Sequence, residues 1–568
     1  MEDSADLPFR ISTTIRALSA ALRADSDEPA SSSDSERSSG EPNKLWFKES
    51  SARNLQNRDF LSPASVLSKL HAGGQVPPAV AEHVLSARGG GALPLAGVEL
   101  TDEGLRVRVD RAAVFREVLR SLPPYLQPAG VAVGQGGLVL NCPALYPRQS
   151  RPAPLSPDTL TLGQLRTVLL ADHQAALLRK QGFSVSFCPV LPEGDDIIRF
   201  LGSLGVDWPT GPEGSANDQR EEAVWEALRW SPHREPEERR SDGAEENGER
   251  PGGGAGPVRI NLREAVQQKS LQGYDPNLGV CTVQKDSVYQ LVQLEAAVSE
   301  CKVPIATVLH VTTSQDEFRQ QQVDVLWRVG GAQVTQKHIV CGPVKTPGSQ
   351  LSASQYIQLR RAQMKEASEM KYGEHVEGQM WDDIIGVMTS ATVRFELLST
   401  VHSSPVTLDV QKEGGVSTKG PRGGVFVMYN CARLHTLFSS YEQAVEQGLY
   451  PEIPDVSQLD FSSLKEEGEW LLLFNYVIPF SELLDQLGQS PERGGGGARV
   501  SVRAEQICRF LVSLSKDFSS YYNRVHVLGE PMPHLYNQMF CRLQLLRALR
   551  ELYHCALDTL HLPPVPQL

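Results

Sequence analysis

Short apolar runs and amphipathic stretches alternate in the middle part of the chain. The run Gly137–Asn141 is apolar and ends in a polar residue, which is typical of a buried parallel strand. Thr161–Lys180 has apolar residues at helical spacing and is followed by Gly182, so it predicts a helix. Phe183–Cys188 predicts the next strand, and Ile305–Val311 a further one. Strand, helix and strand in this order predict an α/β fold with a parallel sheet and a ligand crevice at the carboxyl ends of its strands.

The C-terminal part has the pattern of a helical bundle. Apolar residues recur every three or four positions in Ile507–Tyr521 and again in Leu546–Leu560. Arg547, Arg550 and His554 fall within about 60° of one another on a helical wheel, beside the second apolar stripe. From position 499 onward there are eight Lys and Arg against five Asp and Glu, although the whole chain has a net charge of −13. This asymmetry predicts that a polyanion would dock on the bundle.

Three stretches carry too few apolar residues to form a core: Asp25–Pro42, Trp208–Gly256 and Pro491–Ala498. The first is rich in Ser, Asp and Glu. The second is predicted to be a disordered insertion around one short helix, Glu221–Arg229. The third contains four consecutive glycines and is predicted to be a flexible joint.

The composition of the chain limits the classes of protein and the cellular compartments that fit this sequence. The 568 residues are 40% apolar and 22% charged, which is typical of a globular protein with several domains. No run of about 18 apolar residues occurs, so no membrane span is expected. The N-terminus lacks the features of a signal peptide, and the nine cysteines are odd in number with none at C-x-x-C spacing. We therefore expect a cytoplasmic protein without disulfides or structural zinc.

The predicted sheet and bundle carry residues that resemble those of a known family. Leu138–Pro143 and Leu162–Asp172 resemble the first strand and the next helix of the class I aminoacyl-tRNA synthetase core, in particular that of arginyl-tRNA synthetase. Gly423–Arg433 resembles the first helix of the family's DALR anticodon-binding bundle. Further collinear similarity lies in Val98–Leu122, Gly194–Phe200, His310–Arg328, Ser513–Val525 and Met539–Leu560. The resemblance implies a class I synthetase-like, Rossmann-type α/β core followed by an all-α DALR bundle.

The same resemblance predicts three domains. Residues 1–125 are expected to form an N-terminal tRNA-contacting module that includes the Ser-rich stretch. Residues 126–400 are expected to form a degenerate synthetase-like core with a disordered insertion at 208–256. Residues 401–568 are expected to form the DALR-type helical anticodon-binding domain.

The catalytic signature of the family is altered in this sequence. Class I synthetases place H-x-G-H at the start of the first helix, where two imidazoles stabilise charge on the α-phosphate of ATP. The matching positions are Thr161-Leu162-Gly163-Gln164, so both histidines are absent. The second phosphate-binding loop is represented by Val344–Ser349, with a single lysine, and the strand ending at Thr313 lacks the carboxylate of an arginine-binding site. We expect Thr161 and Gln164 to cap an ordinary helix, and the chain to have no catalytic residue, cofactor or metal.

The bundle keeps aromatic and basic residues in alternation, which suits an unpaired RNA loop. Bases stack on aromatic rings and on Arg planes, while phosphates attract Lys and Arg. The adjacent Tyr521 and Tyr522 cannot both face inward. The expected RNA-binding residues are Tyr429, Arg433, Arg509, Lys516, Tyr521, Tyr522, Arg524, Arg542, Arg547, Arg550 and His554.

The resemblance also implies a function. Synthetase-like members of this family in animals bind arginine tRNAs and deliver them to a methyltransferase that forms 3-methylcytidine in the anticodon loop. This implies a non-catalytic tRNA-binding adaptor whose partners are arginine tRNAs and the methyltransferase, with neither DNA nor a membrane among them. Two alternatives stay open. A divergent arginyl-tRNA synthetase predicts arginine-dependent ATP–pyrophosphate exchange, and a scaffold with vestigial ligand sites predicts protein partners but no tRNA.

Overall fold

The computed structural model of the chain describes most of its residues. The described ranges are 7–23, 45–71, 76–87, 89–130, 136–147, 154–211, 217–236, 257–373, 376, 378–410, 423–489 and 497–566. The predictions of disorder for 25–42, of an insertion over 237–256 and of a flexible joint over 491–496 lie outside these residues. Among the helices within these ranges, none is long and apolar enough to cross a membrane.

The N-terminal module is a small antiparallel sheet covered by helices. Its strands pair in the order β1-β2-β4-β3. The apolar positions of β2 and β4 alternate toward the helices, so Phe60, Leu105 and Val107 are buried. The elements are α1 (Ile11–Ala21), β1 (Lys48–Glu49), β2 (Phe60–Pro63), α2 (Ala64–Leu70), α3 (Pro78–Leu85), β3 (Leu95–Thr101), β4 (Gly104–Val109), α4 (Arg111–Arg120) and α5 (Pro123–Leu126).

The middle of the chain forms the predicted βαβ unit. A four-stranded parallel sheet has the order β12-β11-β5-β6, and α6 connects β5 to β6. The elements up to β10 are β5 (Gly137–Asn141), α6 (Leu162–Lys180), β6 (Ser184–Cys188), β7 (Leu191–Pro192), α7 (Asp196–Gly202), β8 (Thr210–Gly211), α8 (Asn217–Arg229), β9 (Arg259–Asn261), α9 (Leu262–Gln268) and β10 (Val280–Thr282). The next are α10 (Lys285–Ser299), β11 (Ile305–Thr313), α11 (Glu317–Val329), β12 (Thr335–Cys341), β13 (Val344–Lys345), α12 (Ala353–Tyr372), α13 (Gln379–Leu398) and β14 (Val406–Thr407).

Both faces of this sheet are buried, which explains why its strands are continuously apolar. Leu138 and Leu140 of β5 join a hydrophobic cluster that includes α6 and extends into the N-terminal module and the bundle. Val139, between them in sequence, belongs to a second cluster formed with α8, α9, α10 and α11. Successive side chains of a strand point to opposite faces, so helices cover the sheet on two sides.

The prediction of a disordered insertion over Trp208–Gly256 starts too early in the chain and is partly wrong. Trp208 is buried and its indole N–H donates to the Pro189 carbonyl at 2.8 Å. The helix α8 starts before the predicted Glu221 and packs against α10 through Val224 and Leu228. These two apolar residues are one helical turn apart in a mostly polar helix that also carries the half-buried Trp225, so the composition of the window concealed a narrow buried stripe.

The predicted flexible joint is also wrong at its end. The Ala498 backbone N–H donates to the Gln272 carbonyl at 3.0 Å, and the Ala498 carbonyl accepts from His338 N–H at 2.8 Å. Residues 498–500 therefore pair with His338 at the edge of the parallel sheet, beside β12. The glycine run gave no signal of this pairing because its partners are distant in sequence.

The C-terminal part is a helical bundle, as predicted. Gly424 opens its first helix at a close crossing with α13, where a Cβ atom would lie 2.4 Å from the Ala391 carbonyl oxygen. A turn of π-helix at Leu473–Val477 joins the two short helices in the middle of the bundle. The helices are α14 (Gly424–Glu446), α15 (Glu467–Leu472), α16 (Phe480–Leu487), α17 (Glu505–Arg524) and α18 (Pro533–Asp558).

Candidate nucleic-acid interface and the adjoining cleft

Three helices carry the predicted RNA-binding residues, and α14 contacts both of the others. Tyr429 and Arg433 are one turn apart on α14, and Arg433 faces Tyr522 of α17. Phe438 follows Tyr429 by nine positions and lies on the opposite side of α14, where it faces Arg550 of α18. The predicted residues therefore form two separate groups instead of one continuous surface.

The first group is centred on the Arg433 guanidinium. Its carbon atom lies 4.8 Å from the ring centroid of Tyr429 and 5.2 Å from that of Tyr522. Two hydrogen bonds hold it there, to Ser519 Oγ at 3.1 Å and to Asn523 Oδ1 at 3.3 Å. Arg433 and both tyrosines are half-buried, so each leaves part of its surface to solvent. A fixed guanidinium between two partly exposed rings can accept a base by stacking and a phosphate by charge.

Three further cations of the predicted set lie on α17, the helix that carries Tyr522. Arg509, Lys516 and Arg524 are all exposed. Lys516 precedes Ser519 by three positions and Asn523 by seven, so it lies on the face of α17 that contacts Arg433. Lys516 therefore adds a positive charge beside the first group, whereas Arg509 contacts the Ser399 carbonyl at 3.4 Å and lies 4.0 Å from Glu505.

Lys371 is a further cation of this group that was not among the predicted residues. It lies in the last turn of α12, and its Nζ is 5.2 Å from the ring centroid of Tyr429. An exposed lysine at the end of a helix is common, and the ring that it faces is on another helix. Only the tertiary structure could bring it into the site.

The second group lies between α14 and α18. The Arg550 guanidinium carbon is 4.7 Å from the ring centroid of Phe438 and also pairs with Glu551 at 3.5 Å. Arg547 is exposed and His554 is half-buried. Burial lowers the pKa of His554 below its ordinary value, so this imidazole is mainly neutral at pH 7. The second group thus offers one exposed cation, and much of its remaining charge is engaged in packing.

For two of the predicted RNA-binding residues the prediction is wrong, because their side chains lie inside the bundle. Tyr521 is 1% exposed, and its hydroxyl donates to Glu469 Oε1 at 3.4 Å. Arg542 pairs with the same carboxylate at 2.8 Å, and its side chain is only 13% exposed. Burial raises the pKa of Glu469, against the charge and hydrogen bond of Arg542. These residues join α15, α17 and α18, so they hold the bundle together and cannot stack on a base.

A cleft of about 690 Å³ lies at the carboxyl ends of the parallel strands, where ligands bind in folds of this kind. Thr161 Oγ1 accepts from Gln164 N–H at 3.2 Å, and Gln164 Oε1 accepts from Thr161 N–H at 3.0 Å. This capping box confirms the predicted role of both residues at the start of α6. Among the described residues that line the cleft, the only charged ones are Asp158 and Asp316. The described lining of the cleft therefore carries negative charge and no positive charge.

One group of side chains in the core has the composition of a metal site. Ligand atoms of His310, Asp324 and His338 lie within 4.8 Å of one another, and all three residues are buried. The Asp324 carboxylate already accepts from His338 at 2.8 Å, Tyr274 at 2.6 Å and Arg328 at 2.6 Å. Burial alone would raise the pKa of Asp324, but these neighbours lower it to about 2. With its carboxylate accepting from three donors, this group is a hydrogen-bond network of the core.

Two family profiles match the chain: DALR, N-terminal domain over residues 9–125 and DALR anticodon binding domain over residues 427–568. Arginyl-tRNA synthetase from Thermus thermophilus shares the fold with a TM-score of 0.60 at 15% identity, covering 98% of this chain and 100% of that one. The enzyme from Plasmodium falciparum gives a TM-score of 0.60 at 12% identity, covering 99% and 100%. The chain thus has the arginyl-tRNA synthetase-like fold that was predicted, with a DALR anticodon-binding domain.

Relatives in sequence define the family more closely. A Danio rerio protein named DALR anticodon-binding domain-containing protein 3 is 64% identical over 572 residues, covering 100% of both chains. Its namesake in Mus musculus is 42% identical over 545 residues, covering 92% of this chain and 96% of its own. An arginine–tRNA ligase of Sulfurisphaera tokodaii is 21% identical over 291 residues, covering 50% and 41%. The chain belongs to the family of DALR anticodon-binding domain-containing protein 3.

Proposed function

We propose that this protein is a non-catalytic adaptor that binds tRNA through its DALR bundle. The observation that carries the proposal is the Arg433 guanidinium held between the partly exposed rings of Tyr429 and Tyr522. Stacking on an aromatic ring contributes roughly 1–3 kcal/mol per base and tolerates any base. The exposed cations of α17 add the phosphate contacts that such binding requires.

The composition of the cleft supports a non-catalytic role. Adenylate formation needs preorganised donors at the α-phosphate, and loss of such donors lowers a rate by orders of magnitude. Thr161 and Gln164 direct their side chains to each other's backbone instead. His173, the nearest imidazole of α6, is fully buried and hydrogen-bonds to the Thr559 carbonyl. Burial lowers the pKa of His173 to about 4, so it carries no charge at neutral pH.

The finer part of the proposal concerns the tRNA and its destination. We propose that the bundle selects arginine tRNAs and that the protein delivers them, in the cytoplasm, to the methyltransferase that forms 3-methylcytidine in the anticodon loop. The choice of arginine tRNAs is supported by the arginyl-tRNA synthetase-like fold and by the arginine–tRNA ligases among the relatives. The methyltransferase step is supported by the family resemblance alone.

Crosslinking and sequencing of the RNA that copurifies with the protein from cells tests this function. We expect arginine tRNAs to be enriched and a tRNA methyltransferase to be recovered among the proteins of the same sample. Bulk RNA at background levels with protein partners only would contradict the proposal and favour a scaffold. Arginine-dependent ATP–pyrophosphate exchange by the purified protein would instead favour a divergent synthetase.

The first group of cations is expected to dominate tRNA affinity. Charge reversal of two of its members, Arg433→Glu with Lys516→Glu, should weaken binding of an arginine tRNA by at least about tenfold, because each lost charge-assisted contact costs about 1.5–3 kcal/mol. The slope of log affinity against log salt should fall by about two. Fluorescence anisotropy of a labelled transcript at several salt concentrations measures both quantities.

The matched control changes the same net charge in the second group. Arg547→Glu with Arg550→Glu is expected to weaken binding less, since Arg550 is committed to Phe438 and Glu551. A larger loss in this control than in the Arg433 and Lys516 variant would move the main contact surface to α18. Circular dichroism melting of both variants shows whether the bundle is intact.

A further inference from the structure

Aromatic and basic residues also gather where α12 and α13 meet, outside the predicted RNA-binding set. Tyr372 ends α12 and Trp381 lies in the first turn of α13, with ring centroids 5.2 Å apart and planes inclined by 44°. Both rings are half-buried. Lys371 is exposed, and its Nζ donates a hydrogen bond to the Tyr372 hydroxyl and lies 4.5 Å from the centroid of that ring.

This cluster is continuous with the first group of the bundle. The Nζ of Lys371 also lies 5.2 Å from the centroid of Tyr429, whose other neighbour is Arg433. Rings and cations thus form one series across α13, α12, α14 and α17, which we call the cation–aromatic ladder. Its members in spatial order are Trp381, Tyr372, Lys371, Tyr429, Arg433 and Tyr522.

Packing against the hydrophobic core explains part of the position of the Tyr372 and Trp381 rings, but it does not explain the exposed cation beside them. A cation–π contact at an exposed site contributes only a small free energy, and a lysine must give up side-chain freedom to make it. A surface series that offers both ring faces and positive charges matches the two halves of a nucleotide, the base and the phosphate.

The charges near the ladder indicate how single-stranded RNA would be oriented on it. Asp382 follows Trp381 and pairs with Arg361 at 3.2 Å, and Asp383 is exposed beside it. These carboxylates disfavour a phosphate at the Trp381 end. Lys371 lies further along the ladder, toward α14. Bases therefore fit on the rings of Trp381 and Tyr372, and phosphates fit beside the cations closer to α14.

We propose that the cation–aromatic ladder is a binding site for unpaired nucleotides of the tRNA, which extends the RNA-binding surface from the DALR bundle onto α12 and α13. Two bases stack on Trp381 and Tyr372, while Lys371 and Arg433 contact the phosphates. The site rests on the proposed function, because it requires that the bundle bind tRNA. It assigns to three residues of the synthetase-like core a task in holding single-stranded RNA.

Removal of the two rings is the direct test. In the full-length protein, Tyr372→Ala with Trp381→Ala is expected to weaken binding of an arginine tRNA and of its anticodon stem–loop by about tenfold or more. Binding of a blunt RNA duplex should be unchanged, since paired bases have no free ring face to offer. Fluorescence anisotropy with these three labelled RNAs gives the dissociation constants. Tyr372→Phe with Trp381→Phe keeps the ring faces and should restore most of the affinity.

A charge variant provides a second measurement that does not depend on packing. Lys371→Glu should weaken tRNA binding several-fold and reduce the salt slope by about one. The matched control is Lys365→Glu, because Lys365 is exposed on the same helix and pairs with Glu369 at 3.8 Å. That control should bind within about twofold of the wild type.

The outcomes separate this inference from the proposed function. One possible result is that Arg433→Glu weakens tRNA binding, whereas the Tyr372, Trp381 and Lys371 variants bind as tightly as the wild type. This result would overturn the ladder and leave the bundle as the binding surface. No tRNA binding by the wild type would overturn both. Equal losses for the tRNA and the duplex in the ring variant would also overturn the ladder, because they would show a general defect. A loss confined to unpaired RNA, restored by phenylalanine, supports it.

Discussion

Replacement of Arg166 by alanine is expected to lower the free energy of unfolding by about 3–5 kcal/mol. The side chain of Arg166 is only 1% exposed, on α6 inside the core. Burial lowers its pKa below the ordinary value, and backbone carbonyls accept its hydrogen bonds. The acceptors are the carbonyl oxygens of Leu397 at 3.0 Å, Gly342 at 3.0 Å, Ser404 at 2.8 Å, Thr400 at 3.2 Å and Val401 at 3.0 Å.

The large effect follows from what alanine leaves behind. Leu397, Thr400 and Val401 lie at or just beyond the end of α13, where helical carbonyls have no partner within the helix. Without Arg166, five carbonyl acceptors, two of them in fully buried hydrogen bonds, lose a donor and a cavity of guanidinium size remains. The sheet, α6 and α13 would all lose a shared connection.

Urea unfolding followed by tryptophan fluorescence measures this loss. Arg166→Lys keeps the charge but offers three donors, so it should retain part of the lost stability. Arg199→Ala serves as the control, since Arg199 is 77% exposed and pairs with Asp196 on the surface. It should change the free energy of unfolding by less than about 1 kcal/mol. Equal midpoints for Arg166→Ala and Arg199→Ala would show that the carbonyl cluster is satisfied without the guanidinium.

The sequence predicted the framework of the fold because burial there follows local rules. The run Gly137–Asn141 is apolar up to its last residue, and the structure buries it on both faces of a parallel sheet. The Thr161 and Gln164 pair matched the spacing of a capping box, and the structure shows one. Both signals lie within a few residues of chain, so no knowledge of distant partners was needed.

The functional surface was harder to predict, for two different reasons. Tyr521 continues the apolar stripe of Leu514 and Phe518 at helical spacing. This spacing predicts a buried side chain for Tyr521 and a position nearer the surface for Tyr522. Arg542 carries no such signal, because the buried carboxylate that it pairs with, Glu469, lies on another helix. Periodicity reports which face of a helix is buried, but it does not report a long-range ion pair.

Replacement of Asp172 by asparagine is expected to destabilise the protein at neutral pH and to matter progressively less in acid. Asp172 and Arg394 form an ion pair at 2.8 Å with side chains 1% and 0% exposed, and His561 Nδ1 lies 2.9 Å from the carboxylate. The pair joins α6 to α13 and to the end of the chain beyond α18. Removing one charge of a buried pair leaves the other uncompensated, which costs about 3–5 kcal/mol.

The pH dependence follows from the pKa of Asp172. Burial alone would raise this pKa, but the hydrogen bond from His561 and the charge of Arg394 lower it below the ordinary value of an aspartate. A carboxyl with a depressed folded pKa stabilises the fold at pH values above its unfolded pKa, about 3.9, and loses this contribution as pH falls through the folded value. The gap in unfolding free energy between wild type and Asp172→Asn should therefore be large at neutral pH and close as the pH falls below about 4.

The difference between two curves of unfolding free energy against pH, for the wild type and for Asp172→Asn, separates the effect of this carboxylate from that of His173. Burial lowers the pKa of His173 to about 4, so the wild type also loses stability in acid as this imidazole is protonated on unfolding. Asp172→Asn retains His173, and most of its contribution cancels in the difference. The exposed Asp196→Asn, whose carboxylate is 72% exposed, should give a small gap at every pH. A gap for Asp172→Asn that stayed constant from pH 7 to pH 3 would show that shape and hydrogen bonding stabilise this site, and that the charge of Asp172 does not.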